Sequence, residues 1–481
     1  MKADFNQIYA KGIRITQEAF QFLQSNEISE EIFQDILSMD GGFLTKEMLQ
    51  EFASRHSKIP VQATVSRAPH FKPAAKEFEP KLKIIGKSDI TGKSYCTGKL
   101  EDFLGHFRNR FERVSRILRL RLSPNPTIKT SKLKGMEGKA RIIVMITEKR
   151  ITKKGNLLLD VEDEEGTAKV VVSQGNREAF KSASRLLLDD IVAIDGQSKG
   201  ELFIAESIIW PEIPVAREQK KTERDIAIAY LSDLHFGSKK FLEKEFARFI
   251  SWLNGAEGKQ ELAGKVKYLV ICGDVVDGIG IYPEQEKELA VKDIYKQYEL
   301  FDKAMESIPD YITVIVVPGN HDAVRRAEPQ PAIPFDLMKS EVIRLGNPST
   351  IEIEGLRHVL YHGTSLDSIF AAISGLTYSK PEEAMLELLR RRHLSPIYGE
   401  NLIVPEEKDY LVIDEEPDVI HMGHVHKNGW MVYRGTLLLN SGTFQDRTDF
   451  QIRMGHVPSP GIVPVLEGAS GKLHHISFME S

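Results

Sequence analysis

Five short polar clusters, each directly behind an apolar run, constrain this 481-residue chain more than any other feature. Asp233-Leu234-His235 follows the run Ile226 to Leu231, and Gly273-Asp274-Val275-Val276-Asp277-Gly278 follows Val266 to Ile271. Gly319-Asn320-His321-Asp322 comes after Ile312 to Val317 and Pro318. Tyr361-His362-Gly363 follows His358 to Leu360, and Gly423-His424-Val425-His426 follows Val419-Ile420. Near-continuous apolar runs read as strands buried on both faces. They alternate with helical stretches at Leu242 to Leu253 and Leu289 to Ile308, which predicts an α/β layered domain. In such sheets the functional crevice lies beyond the carboxyl ends of the strands, where these clusters fall.

The residue types point to a pair of metal ions. Two divalent cations about 3.5–4 Å apart need an anionic ligand between them. Asp274, at a strand end, can supply it. Asp233 and His235, alternating about one residue, grip one ion, while His424 and His426 face from the opposite wall, one toward each ion. Asn320 offers a neutral oxygen and His362 an imidazole, and mixed N/O ligation suits Mn, Fe or Zn better than Ca or Mg alone. Five of the 14 histidines sit in these clusters, which is hard to obtain from core histidines alone. Asp277 and Asp322 are placed to orient ligands.

Ahead of this domain the pattern changes three times. Residues 1–56 read as a small helical N-terminal module, with Phe20, Leu23, Ile28, Ile32 and Ile36 recurring at near-helical steps and a further helix from Lys46. Residues 57–97 read as a linker, with Pro69, Pro73 and Pro80 among Lys, Ala and Ser. Residues 98–215 open with an amphipathic helix on Leu100, Phe103, Leu104, Phe107, Phe111, Val114 and Leu118, whose arginines Arg108, Arg110, Arg113 and Arg116 read as a solvated face. Five short strands with a helix between the third and fourth then follow the order of an OB-fold β-barrel. The charged stretch Pro211 to Arg224 reads as a second linker, and residues 216–481 as the α/β domain.

Composition sets the outer limits. Hydrophobic residues at 41% and charged residues at 28% exclude a disordered or collagen-like chain. With a net charge of −5, any nucleic acid must be met by local basic patches. Lys149, Lys153 and Lys154 in the barrel, and Arg390, Arg391 and Arg392 behind the helix Pro381 to Leu389, are the candidates. Each also has a plain reading as a solvated face or as charges favouring a helix C-terminus. Two distant cysteines exclude a disulfide scaffold and a Cys-based zinc site. With no signal-like or membrane-length apolar run, the expectation is a soluble cytoplasmic protein.

Taken together, DxH, GDxxDG, GNHD, a His behind a late strand and GHxH resemble the signature of the calcineurin-like metallophosphoesterase superfamily. The stretches Tyr378 to Met385, Leu389 to Leu394 and Leu439 to Gln445 are similar, more closely, to the small subunits of archaeal family-D DNA polymerases, over roughly residues 98–481. The resemblance implies a β-sandwich flanked by helices, behind an OB-fold and a helical module. It implies Asp233, His235, Asp274 and His426 at one metal, and Asp274, Asn320, His362 and His424 at the other, with manganese expected. His321 would be the proton donor or transition-state stabiliser. The implied activity is a 3′–5′ exodeoxyribonuclease that proofreads in a heterodimer with the large catalytic subunit. It would act on single-stranded 3′ ends of DNA, with a sliding clamp reached through the complex. The alternatives are a stand-alone metallophosphatase and a non-catalytic assembly subunit. Every ligand position is filled here, which disfavours the latter.

Overall fold

Strands shielded from water need cover on both faces, and the C-terminal half supplies it with two packed sheets. The computed structural model describes residues 4–25, 28, 30–39, 41–55, 64–136, 138–448, 451–452 and 455–479. At the N-terminus, α1 (Phe5–Ala10), β1 (Ile13–Ile15), α2 (Gln17–Ser25), α3 (Glu30–Leu37), β2 (Gly42–Leu44) and α4 (Lys46–Arg55) enclose a small core on Leu23, Ile28, Ile32, Ile36 and Leu49. The parallel pair β1–β2 was not foreseen, because three-residue strands carry no readable period.

The expected linker 57–97 needs correction where it is described; residues 57–63 lie outside the described residues. Phe71 packs on the helical side of the C-terminal core, Ile90 is fully buried, and β3 (Leu82–Ile84) pairs antiparallel with a strand of the domain beyond. The segment has no core of its own because its apolar side chains dock singly into one built by other residues.

The helix α5 (Leu100–Arg119) also departs from expectation. Arg108 and Arg116 are exposed, but Arg110 and Arg113 are buried against Asp409 and Asp414. After it come β4 (Lys139–Ile151), β5 (Leu157–Asp163), β6 (Gly166–Val172), α6 (Arg177–Ser184), β7 (Ile191–Lys199) and β8 (Leu202–Ile209). The five strands close into a barrel in the order β4-β5-β6-β8-β7, with the helix between third and fourth. The charged stretch 211–224 is docked rather than free: Ile213 is fully buried under the last helices, and Arg217 pairs with Asp418.

The remaining chain forms β9 (Ala227–Leu231), α7 (Glu243–Leu253), α8 (Gln260–Lys265), β10 (Val266–Cys272), α9 (Ile294–Met305), β11 (Thr313–Val317), β12 (Ile343–Arg344), β13 (Ser349–Ile353) and β14 (Leu356–Leu360). It continues through α10 (Leu366–Ala372), α11 (Pro381–Arg391), β15 (Val419–Met422), β16 (Asn428–Tyr433), β17 (Thr436–Ser441), β18 (Ile462–Glu467) and β19 (Lys472–Ser477). One sheet runs β12-β11-β10-β9-β18-β19 and the other β16-β17-β15-β14-β13-β3. Ile228, Tyr230, Val270 and Ile315 of the first meet Ile351, Leu360, Val419 and Leu439 of the second in one core. The helices α7, α8 and α9 cover the outer face of the first sheet, and α10 and α11 that of the second. Within the first sheet β9, β10 and β11 are parallel, and within the second β14, β15 and β17. Their carboxyl ends therefore deliver the five polar clusters to one edge of the layers. Among the described residues no helix is long and apolar enough to cross a membrane.

Candidate metal centre

The loops are held by glycines where a donor side chain lies against the main chain. A Cβ at Gly319 would stand 2.2 Å from Asp274 Oδ1, and one at Gly423 2.4 Å from Asp233 Oδ2. The donors themselves are bent inward: Asp233, His235, Asp274, His424 and His426 all have positive φ, between 50° and 70°. A non-glycine residue there costs about 1–3 kcal/mol, a strain that concentrates at functional sites. Backbone N–H groups then fix the carboxylates. His424 N–H donates to both Asp233 oxygens at 3.1 and 2.9 Å, and His321 N–H to Asp274 Oδ1 at 2.8 Å.

All seven expected ligands converge. His235 Nε2 faces His426 Nε2 at 3.0 Å, and His426 Nε2 lies 3.5 Å from Asp233 Oδ1. Asn320 Oδ1 lies 2.9 Å from His362 Nε2 and 3.0 Å from His424 Nδ1. The donor atoms of Asp233, His235 and His426 fall within 4.8 Å of one another, as do those of Asp233, Asp274 and His362, and those of His235, Asp274 and His321. Asp274 thus belongs to groups on both sides. His321 stands as close to Asp274 Oδ2, at 3.9 Å, as His235 does.

The hydrogen bonds behind the donors say which atoms face inward. His235 Nδ1 donates to Asp277 Oδ1 at 2.9 Å, and His362 Nδ1 to the Cys272 carbonyl at 2.9 Å, so each presents Nε2. His362 Nε2 is then turned on two oxygens, Asn320 Oδ1 and Asp274 Oδ2, an arrangement that demands positive charge. Burial alone would lower the His362 imidazole, yet Asp274 beside it pushes it up to about 10. Burial lifts the Asp233 carboxyl to about 6. It would lift Asp274 too, but His362 and His321 hold that carboxyl well below its usual range. A mixed N/O donor set of this kind suits divalent cations, and Asp233, His235, Asp274, Asn320, His362, His424 and His426 are the residues that could hold them.

Asp277 and Asp322 lie behind the candidate donors. Asp277 holds His235 and is itself held by Gln445 at 3.0 Å; Asp322 accepts from the N–H groups of Gly319 and Val275 at 2.8 and 3.3 Å. Two neighbours were missed. Asp367 accepts from His424 Nε2 at 3.0 Å, and the Gln451 amide meets His426 Nδ1 at 2.9 Å. The first had a readable signal, an acid in the first turn of the helix that follows the His362 strand; the second had none.

The basic candidates separate from the centre. Arg391 is buried, donating to Asp190 Oδ1 at 2.9 Å and Glu387 Oε2 at 2.7 Å, and Arg392 is fully buried against the Ile413 and Asp414 carbonyls at 2.8 and 2.6 Å. Neither is free for DNA or a partner, because acids and carbonyls far along the chain consume their donors. Arg390 pairs with Glu212 and Glu387 at 2.9 and 3.1 Å. Lys149 is likewise corrected: it donates to the Ser184 and Leu186 carbonyls at 3.0 and 2.6 Å. Lys153 and Lys154 remain exposed at the β4–β5 hairpin.

Two sheets whose strand ends gather aspartates, histidines and an asparagine around one pocket define a candidate metalloprotein. Residues 228–428 match the family model that describes the B-subunits of DNA polymerases alpha and epsilon. The chain is 42% identical over 468 residues to the DNA polymerase II small subunit of Archaeoglobus fulgidus, covering 95% of this chain and 93% of that one. It is 39% identical over 482 residues to the same subunit of Methanothermobacter thermautotrophicus, covering 97% and 98%. An archaeal phosphodiesterase of known structure aligns with 52% of this chain and 99% of its own at 14% identity, with a TM-score of 0.26. The chain belongs to the archaeal DNA polymerase II, or family-D, small-subunit family.

Proposed function

We propose that this protein is a metal-dependent 3′–5′ exodeoxyribonuclease that proofreads for a large polymerase subunit, with which it forms a heterodimer. The observation that carries the reading is Asp274, buried with donors of both halves of the site around it. The proposed division is a helical module at 1–56, a linker at 57–97, a helix with an OB-fold at 98–215 and a calcineurin-like phosphoesterase domain at 216–481.

When bound, two divalent cations, with manganese the expected metal, would supply an acidified water and neutralise charge at a phosphodiester. The chain's own residues do the rest. Asp274 sets the spacing of the two halves, and Asp277 and Asp322 keep His235 and the Asn320 loop from turning away. His321 Nδ1 is pinned to the Asp277 carbonyl at 2.7 Å, so Nε2 is the atom that exchanges a proton with the leaving 3′-oxygen. Burial lowers the His321 imidazole below its ordinary value, against the pull of Asp274 and of the Asp277 carbonyl.

The test is an end-labelled single strand of DNA incubated with the protein across a series of divalent metals. Loss of nucleotides from the 3′ end, strongly slowed in His321→Ala, is the expected result. Hydrolysis of p-nitrophenyl phosphate but not DNA would point instead to a phosphatase, and neither activity to an assembly subunit.

A further inference from the structure

The cleft over the metal centre has a wall that the reaction does not use. It holds about 240 Å³ and is lined, besides the donors, by Tyr282, Tyr378 and His456. Tyr378 and His456 lie ring on ring, centroids 4.2 Å apart and planes 32° apart. Phe370 also packs on Tyr378, with centroids 4.2 Å apart and planes 35° apart. The Tyr378 hydroxyl donates to Asp367 Oδ1 at 2.9 Å, while Asp367 Oδ2 accepts from the donor His424 at 3.0 Å. One relay of hydrogen bonds therefore runs from a metal donor to an aromatic stack. Tyr282 stands on the His321 side, edge-on to that ring with centroids 6.3 Å apart.

We propose that the Tyr378–His456 stack is a platform for the terminal nucleobase of a single strand, which it holds extruded while the adjoining phosphodiester lies over the donors. The proposal deepens the exonuclease reading and rests on it for the identity of the phosphodiester. Aromatic faces beside a phosphate site are suited to a planar base, and a base inside a duplex cannot offer its face to a side chain. Stacking is tolerant of sequence, as an enzyme that removes any terminal nucleotide requires. Three rings already packed together, with the shared one, Tyr378, tied to Asp367, lose little freedom when a fourth is added. The tie through Asp367 to His424 also fixes the distance between base and scissile bond, so a strand that stacks is a strand in register.

The experiment uses the full chain with Mn²⁺ and a short DNA strand carrying 2-aminopurine at its 3′ end, with a phosphorothioate terminal linkage to slow cutting. Wild type should quench the probe. His456→Ala and Tyr378→Leu should lose the quench and bind on the order of tenfold more weakly. Tyr378→Phe, which keeps the ring, should quench as wild type does. Thermal melting establishes folding, and should Tyr378→Leu unfold, His456→Ala decides alone. Equal quenching by wild type and His456→Ala overturns the platform whether or not any strand is cut. A normal quench with no cutting of an ordinary labelled strand supports the platform and sinks the nuclease reading instead.

Discussion

Asp274 Oδ2 lies 3.3 Å from His362 Nε2. Approached from the other side by His235 at 3.9 Å, this one oxygen is the point the two halves of the donor set share. Its removal should therefore empty both halves rather than one. After loading and dialysis, elemental analysis of Asp274→Ala should find metal well below that of wild type. Full occupancy in that variant refutes the bridging role.

His321 is a different case, since its ring is held by the Asp277 carbonyl and the donors close without it. His321→Ala should keep its metal content and lose roughly 10²–10⁴ in turnover on single-stranded DNA, the usual share of a positioned acid or base. A loss of metal in this variant would instead make His321 a ligand.

Gly319 separates geometry from donors. An added methyl at this position would meet Asp274 Oδ1 at 2.2 Å and Asp274 N at 2.5 Å, and backbone cannot give way. Gly319→Ala should cost about 1–3 kcal/mol in stability through overpacking. It should also weaken metal binding, although no donor has been touched. Isothermal titration with Mn²⁺ at wild-type affinity would show that the loop has more room than the structure gives it.

The seven donors were readable because each sits within a few residues of a strand end, where local sequence alone decides its place. What the sequence hid was every partnership made at long range. Arg113 looks like any helix-surface arginine until Asp414 arrives beside it, and Arg391 until Asp190 does. Phe71 and Leu82 sit in a proline-rich stretch without a period, so nothing local says that they dock on another segment's core. Gln451 supports His426 from a stretch that carries no readable pattern.

The buried charges between α5 and the C-terminal layers bear directly on stability. Asp409 is fully buried and accepts from Arg110 Nε at 2.6 Å and His393 Nε2 at 2.9 Å. Burial alone would raise its carboxyl, but Arg110 and His393 hold it well below the usual carboxylate range. Asp409→Ala leaves Arg110 buried without its counter-ion and should cost about 3–5 kcal/mol. The double variant Arg110→Met with Asp409→Leu should recover part of that loss in denaturant titrations, because neither member of the pair is then left as an unpaired buried charge. A single variant as stable as wild type would show that water reaches the pair.

Two histidines between the sheets make the fold sensitive to acid. His358 shares a hydrogen bond with the Tyr230 hydroxyl at 3.0 Å, and His421 with Ser441 Oγ at 2.9 Å. Burial pushes the His358 imidazole down to about 4 and that of His421 to about 3, from an ordinary value of 6.5. Above that value both rings are neutral in the folded and unfolded chain, and their contribution to stability is complete. As the pH falls below it the unfolded chain takes up protons that the folded one refuses, and stability drains away until the lower values are reached. At about pH 5 each ring should have cost on the order of 2 kcal/mol. Among the described residues His421 Nδ1 has no hydrogen-bond partner, and Ser441 Oγ keeps its bond to Ser232 Oγ at 2.8 Å, so His421→Leu should be tolerated near neutral pH. The measurement is the melting temperature from about pH 7 down to about pH 4.5, where the variant should fall less steeply than wild type. Parallel curves would mean that His421 is not held neutral, and that the acid sensitivity arises elsewhere.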